Sequence, residues 1–141
     1  MLPVMVAGID AVLAGHKLEY VRLGHAIVLS FSGGQQVVIE TVAQLTGPGG
    51  RAEIEPGENP SDAIATLLGD VVRTARTLDS GELLITFGSG SELLVGVDAD
   101  FESWAVTGPD GLLIVCLARG ELAVWGDPGH REGTSDPSEP V

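Results

Sequence analysis

Three carboxylates alternate in Asp98-Ala99-Asp100-Phe101-Glu102, the spacing that sends side chains to one face of a strand. On one face they could bind calcium through oxygen ligands or divide general acid and base work. Trp104 and Val106 continue the phase, so Glu102 is expected to share their face and be partly buried. A carboxylate there needs a partner such as Arg73, Arg76 or a backbone amide. The plainer reading puts Asp98 and Asp100 in the turn before the strand, with Glu102 alone belonging to it. A second acidic group, Glu53, Glu55 and Glu58, lies in a stretch dense in glycine and proline. These six are candidate binding residues. Trp104 joins them, although its place beside the most apolar hairpin argues for substantial burial.

Other chemistry finds little support in the spacing. His16 and His25 lie near turns and His130 in the polar C-terminal stretch, with no HxH or HExxH arrangement to hold a metal. Cys116 is the single cysteine, so neither an intramolecular disulfide nor a cysteine-based zinc site can form. Ser89-Gly90-Ser91 reads as a hairpin turn rather than a nucleophile elbow, and Gly47-Pro48-Gly49-Gly50 lacks the Lys-Ser/Thr of a phosphate loop. No catalytic residue, metal or cofactor is expected, and an enzyme is the less favoured class.

Twenty acidic side chains against seven basic ones give the 141-residue chain a formal charge of -13. Binding to nucleic acid through phosphates is disfavoured, because that mode needs clustered Lys and Arg; a basic protein partner is favoured. The first fifteen residues are apolar but have no basic flank, are interrupted by Asp10 and are too short to span a bilayer. A soluble cytoplasmic protein without a membrane partner is expected, and the lone cysteine fits a reducing compartment.

The elements that must position these residues are mainly strands. A short helix is expected over Ile9 to Leu13, ending at Gly15, with a first edge strand as the alternative. Leu18 to Leu23, Ala26 to Phe31 and Gln35 to Thr41 then read as a three-stranded antiparallel meander, rich in β-branched and aromatic residues and punctuated by Gly24 and Gly33-Gly34. Leu45 to Pro60 reads as mostly loop, with a short strand around Ala52 to Ile54. Asn59 or Ser61 can cap a second helix, with Pro60 near its start, an apolar stripe of Ala63, Ile64, Leu67 and Leu68, and Gly69 as its stop.

After Gly69 the first pattern returns. Gly15, Arg22, Phe31, Gly34 and Ile39 have counterparts in Gly69, Arg76, Phe87, Gly90 and Val95, with two extra residues around Asp79-Ser80-Gly81. An internal duplication, residues 15–41 and 69–97, is the expected cause, and the two meanders should pack as halves of a sandwich or partly closed barrel. Phe101 to Thr107 and Leu112 to Leu117 flank the turn Gly108-Pro109-Asp110-Gly111. The second of these runs is apolar without alternation, which suits a central strand covered on both faces. This hairpin and a last strand, Glu121 to Trp125, are expected to extend the second half. The fold class is therefore mainly β, a β-rich α+β domain over residues 1–126 with one or two short helices. Residues 127–141, with three prolines and a charge of -3, should form a flexible acidic tail and leave -10 on the rest.

The two Gly-led meanders, the helix ending in Leu67-Leu68-Gly69, and FESWAVTGPDGLLIVC followed by GELAVW resemble a small, mostly actinobacterial domain family of unknown function. The resemblance covers nearly all of Gly15 to Trp125. Arg119-Gly120 stands where that family usually has Gly-Gly, and Phe101 where it commonly has tyrosine. The resemblance implies the architecture and transfers no site. On the residues alone, the expected function is a non-enzymatic acidic protein-binding module, of the kind an immunity-type inhibitor uses against a basic partner. The alternative is a small-ligand-binding β domain with a cavity between the meanders, or an enzyme using Asp98, Asp100 and Glu102.

Overall fold

The computed structural model describes residues 3–58, 61–109 and 111–126. Helix α1 (Pro3–Leu13) precedes the meander β1 (Leu18–Leu23), β2 (Ile27–Phe31) and β3 (Gln36–Ile39). A hairpin of β4 (Ala43–Gly47) and β5 (Gly50–Ile54) leads to helix α2 (Ser61–Ala65) and a second meander, β6 (Val72–Thr77), β7 (Leu83–Phe87) and β8 (Glu92–Val95). The chain closes with β9 (Trp104–Thr107), β10 (Leu113–Cys116) and β11 (Leu122–Trp125). The expected tail over 127–141, the caps Asn59 and Ser61 with Pro60, and Asp110 of the last turn lie outside the described residues or side chains.

All pairings are antiparallel and form two sheets, a six-stranded one in the order β1-β2-β3-β9-β10-β11 and a five-stranded one in the order β5-β4-β8-β7-β6. Their inner faces share one core. Ile27, Leu29, Val37, Ile39, Trp104, Val106, Ile114 and Cys116 meet Ala43, Leu45, Ile54, Ala75, Leu83, Ile85, Phe87, Leu93 and Val95, and the helices add Ile9, Leu13, Ile64 and Leu67. Side chains thus occupy the space between the meanders, and the architecture is a sandwich rather than a closed barrel.

Two expectations are corrected. Leu45 to Pro60 is a hairpin over most of its length, not mostly loop: Ala43 and Leu45 point inward while Gln44 and Thr46 point out, but the glycines and Pro48 at the tip mask this short alternation. The closing strands extend the first half, not the second. β8 already has β4 on its free side, so β9 pairs with the open edge of β3, Val37 opposite Val106 and Ile39 opposite Trp104. β10 lies inside the sheet, one strand from its edge.

The two meanders meet through a reciprocal crossing. The Gly15 amide donates to the Val72 carbonyl and the Gly69 amide to that of Leu18, both at 2.8 Å. Leu18 donates to Asp70 and Val72 to His16, both at 2.9 Å. Gly69 stands to β6 as Gly15 stands to β1, so the four bonds form two equivalent pairs about a local two-fold at the Lys17–Val71 bridge. The meanders repeat in detail as well: each first strand slips register at its start, between Leu18 and Tyr20 and between Val72 and Thr74. The helices exchange across this axis. α1 packs on β6, where the Asp10 carboxylate accepts the Ala75 amide at 2.9 Å, and α2 lies against β1.

Trp104 closes one end of the sandwich. It is 1% exposed, and its indole N–H donates to the Gly81 carbonyl of the opposite sheet at 3.0 Å. Gly81 and Gly120 pack back to back there with φ of 98° and 93°; a Cβ on Gly120 would overlap the Ser80 carbonyl. Trp104→Ala is expected to cost about 3–5 kcal/mol. Trp104→Phe fills most of the space but leaves the Gly81 carbonyl with only the weak Cys116 thiol as donor, for about 1–3 kcal/mol. Denaturant midpoints of the two variants check both figures, and an unchanged midpoint for Trp104→Phe contradicts the role given to the indole hydrogen bond.

Candidate functional site

Because every pairing is antiparallel, successive connections fall at alternate ends of the sandwich. The β1–β2, β3–β4, β6–β7, β8–β9 and β10–β11 connections and the exit from β5 share one end. A short ladder ties them together. The Gly96 amide donates to the Val42 carbonyl, the Glu40 amide to that of Ser103 and the Arg119 amide to that of Asp98, while Gly57 lines a cleft with Leu23, Gly24 and His25.

The carboxylates gather at this end. Glu40 sits in the β3–β4 link, Glu55 and Glu58 follow β5, and Asp79 and Glu82 occupy the β6–β7 turn. Asp98, Asp100 and Glu102 fill the β8–β9 link, and Glu121 precedes β11. Arg119 is the one lysine or arginine in these connections among the described residues. The other end holds Lys17 and, among the described residues of its connections, the single carboxylate Asp70. The carboxylates are thus assembled from five connections, only two of which are acidic enough to stand out in the sequence.

Asp98 organises its loop. One carboxylate oxygen accepts the amides of Asp100 (2.7 Å) and Phe101 (3.2 Å), and its own amide donates to the buried Ser103 hydroxyl at 2.7 Å. Asp100, Phe101 and Glu102 are left exposed. The expected face shared by Asp98, Asp100, Glu102 and Trp104 is corrected, because the strand starts at Trp104 and Glu102 belongs to the preceding loop, in solvent. Trp104 lies in the core and takes no part in the acidic surface. Glu53 stands opposite Gln44 on the outer face of β5, exposed, with Glu55 and Glu58 beyond it in a turn closed by the Glu58 amide on the Glu55 carbonyl. Among the described residues no three His, Cys, Asp or Glu converge to hold a metal ion.

A different site lies at the opposite end. A cleft of about 370 Å³ runs between the β4–β5 hairpin, the turn after α2 and the β7–β8 turn. Asp70 forms its polar side, accepting the amides of Val71 (3.0 Å) and Ser89 (3.2 Å) and the Ser89 hydroxyl (2.5 Å). The Ser89 proton is committed to Asp70, so the 3.2 Å contact between Ser89 and Ser91 is a bond donated by Ser91. Leu45, Ala52 and Ala63 give the cleft its apolar wall, and Arg51 its cation. Ser89-Gly90-Ser91 is the turn that the sequence predicts; its contact with Asp70 follows from the crossing of the meanders and has no local signal.

Cys116 is buried, with its sulfur 3.5 Å from the Gly81 carbonyl. Burial pushes its thiol up from the ordinary value, against a smaller opposing pull from a hydrogen bond with Ser103, so it is no nucleophile at neutral pH.

Residues 9–126 match the model of a family of unknown function (DUF6188). The match covers most of the chain, which therefore belongs to that family. No curated protein and no solved structure matches it. Among the described residues no helix is long and apolar enough to cross a membrane.

Two outcomes follow from this geometry. Asp98→Ala should lower stability by about 1–2 kcal/mol and speed exchange at the Asp100 and Phe101 amides, as expected when a charged acceptor of backbone amides is lost; unchanged exchange refutes the loop assignment. The raised thiol of Cys116 makes the protein hold fewer protons when unfolded than when folded in the alkaline range. Stability should be unaffected by this group below the ordinary thiol value and fall as pH rises above it. A Cys116→Ala variant, compared with wild type across an alkaline series, checks the sign: the wild type should lose stability more steeply.

Proposed function

We propose that the chain is a non-enzymatic acidic protein-binding module whose partner is a basic protein, in the manner of an immunity-type inhibitor acting in the cytoplasm. The observation that supports this reading is the separation of charge. Nine carboxylates with one arginine occupy the connections at one end of a chain of formal charge -13. A single-signed end of this kind steers an oppositely charged surface toward itself, raises the association rate and repels acidic competitors. Asp98, by fixing its loop, presents Asp100 and Glu102 without spending their charge on internal contacts.

A second reading rests on the cleft of Asp70, Ser89 and Ser91, which would take a small molecule with an apolar body and a hydrogen-bonding end. The two readings use opposite ends of the sandwich and so can be separated. Once a partner is captured from the native host, its on-rate should fall severalfold between low and physiological salt, where the screening length reaches about 8 Å. Glu55→Gln, Glu58→Gln and Asp100→Asn should each flatten that dependence, whereas Ala63→Phe, which fills the cleft, should leave it alone. A rate indifferent to salt and to the acidic-end variants, but abolished by Ala63→Phe, overturns the protein-binding reading in favour of the ligand.

A further inference from the structure

The outer faces of the two sheets differ in kind. Across the five-stranded sheet the pairing aligns Glu53, Gln44, Leu94, Leu84 and Arg76 in one row, and Arg51, Thr46, Glu92, Thr86 and Thr74 in the next, a polar surface suited to water. Across the six-stranded sheet one row reads Arg22, Val28, Val38, Ala105, Val115, Ala123. The adjoining row runs from Tyr20 through Ser30, Gln36 and Thr107 to Leu113 and Trp125. Neither of these rows contains a carboxylate, and Arg22 at the β1 edge is their one charge. Val28 and Val115 are buried yet stand apart from the core cluster, while Tyr20 and Trp125 are 56% and 54% exposed. The unbroken apolar run of β10 calls for cover on both faces, and the core cluster lies against only the inner one. Residues 127–141 contain no large apolar side chain except the terminal Val141, so that segment is no match for the outer one.

We infer that this face binds a second copy of the chain, sheet against sheet, with the strands of the two copies antiparallel. Charge selects the occupant. A basic partner is drawn to the acidic end, whereas a partner that itself carries -13 can approach only where carboxylates are missing, and these two rows supply such a surface. Shape agrees, since low rows of valine and alanine fit another twisted sheet about 10 Å away. Size agrees as well: six strands and five residues per strand give on the order of 500 Å² per copy, so two copies remove about 1,000 Å², the lower bound for a specific interface. Of the two isologous arrangements, a two-fold along the strands would put both acidic ends together. A two-fold across them sends the acidic ends to opposite poles and lays β10 and β11 on the same strands of the other copy, apolar on apolar. Both acidic ends then stay open.

Sedimentation equilibrium of the full chain across a concentration series tests this. The expected mass is about 29 kDa, twice the 14.5 kDa of one chain, and the dimer should tighten as salt rises, because screening weakens the repulsion between like-charged copies. That sign is opposite to the one expected for a basic partner, so failure here is distinct from failure of the protein-binding reading. Val38→Lys and Ala123→Lys should give folded monomers, while Thr86→Lys on the other sheet remains dimeric. Should either lysine variant fail to fold, acrylamide quenching of the wild type replaces it: the quenchable emission of Trp125 should fall as the dimer forms, Trp104 being buried throughout. A 14.5 kDa species at every concentration overturns the inference. So does a dimer that survives both lysine variants, or one that forms without shielding Trp125.

Discussion

Four backbone hydrogen bonds between Gly15–Leu18 and Gly69–Val72 are the constraint from which the rest of the sandwich follows. Each meander alone is three strands with one apolar face, and that face must be buried against another layer. The crossing sets the two apolar faces against each other and sends each helix over the first strand of the opposite half. Because the bonds are reciprocal, both halves need the same local geometry at their start, and both have it, down to the register slip in β1 and β6. Asp10 on Ala75 covers the outer edge of β6 and leaves fewer unpaired amides where another chain might add.

The distribution of charge follows from the same arrangement. Strict antiparallel order sends alternate connections to opposite ends, and the carboxylates occupy one set of connections, so the chain becomes polar along its strands. Repulsion among them works against folding, and the dense core around Trp104 and Phe87 must offset it. The two rows without carboxylates on the outer face of the six-stranded sheet complete a division of surfaces: an acidic end, a cleft at the other end, and a side rich in valine and alanine. The proposed basic partner and the inferred second copy call on different surfaces and respond to salt in opposite senses.

Much of this was legible in the sequence. Both meanders, with Leu18, Phe31, Val72 and Phe87 in matching places, declare themselves through glycine-bounded alternation, and Asp98 and Asp100 are found in the turn where the plainer reading put them. The β4–β5 hairpin was hidden because Gln44-Leu45-Thr46 alternates for only three residues before Gly47-Pro48-Gly49-Gly50. Glu102 was misplaced by two residues, since nothing local reveals that Ser103 turns inward to accept the Asp98 amide and delays the strand to Trp104. The acidic end was half visible: Glu40, Asp79 and Glu121 lie far apart in the chain, and only the alternation of connections brings them to Glu55 and Asp100.

The dependence of the fold on the crossing can be read from native-state hydrogen exchange at the four amides of Gly15, Leu18, Gly69 and Val72. If the crossing holds the halves together, all four should be protected to the free energy of global unfolding, and the two equivalent pairs should lose protection together as denaturant is added. Exchange of either pair at the rate of the exposed Asp100 loop, or loss of one pair while the other keeps full protection, would contradict the account.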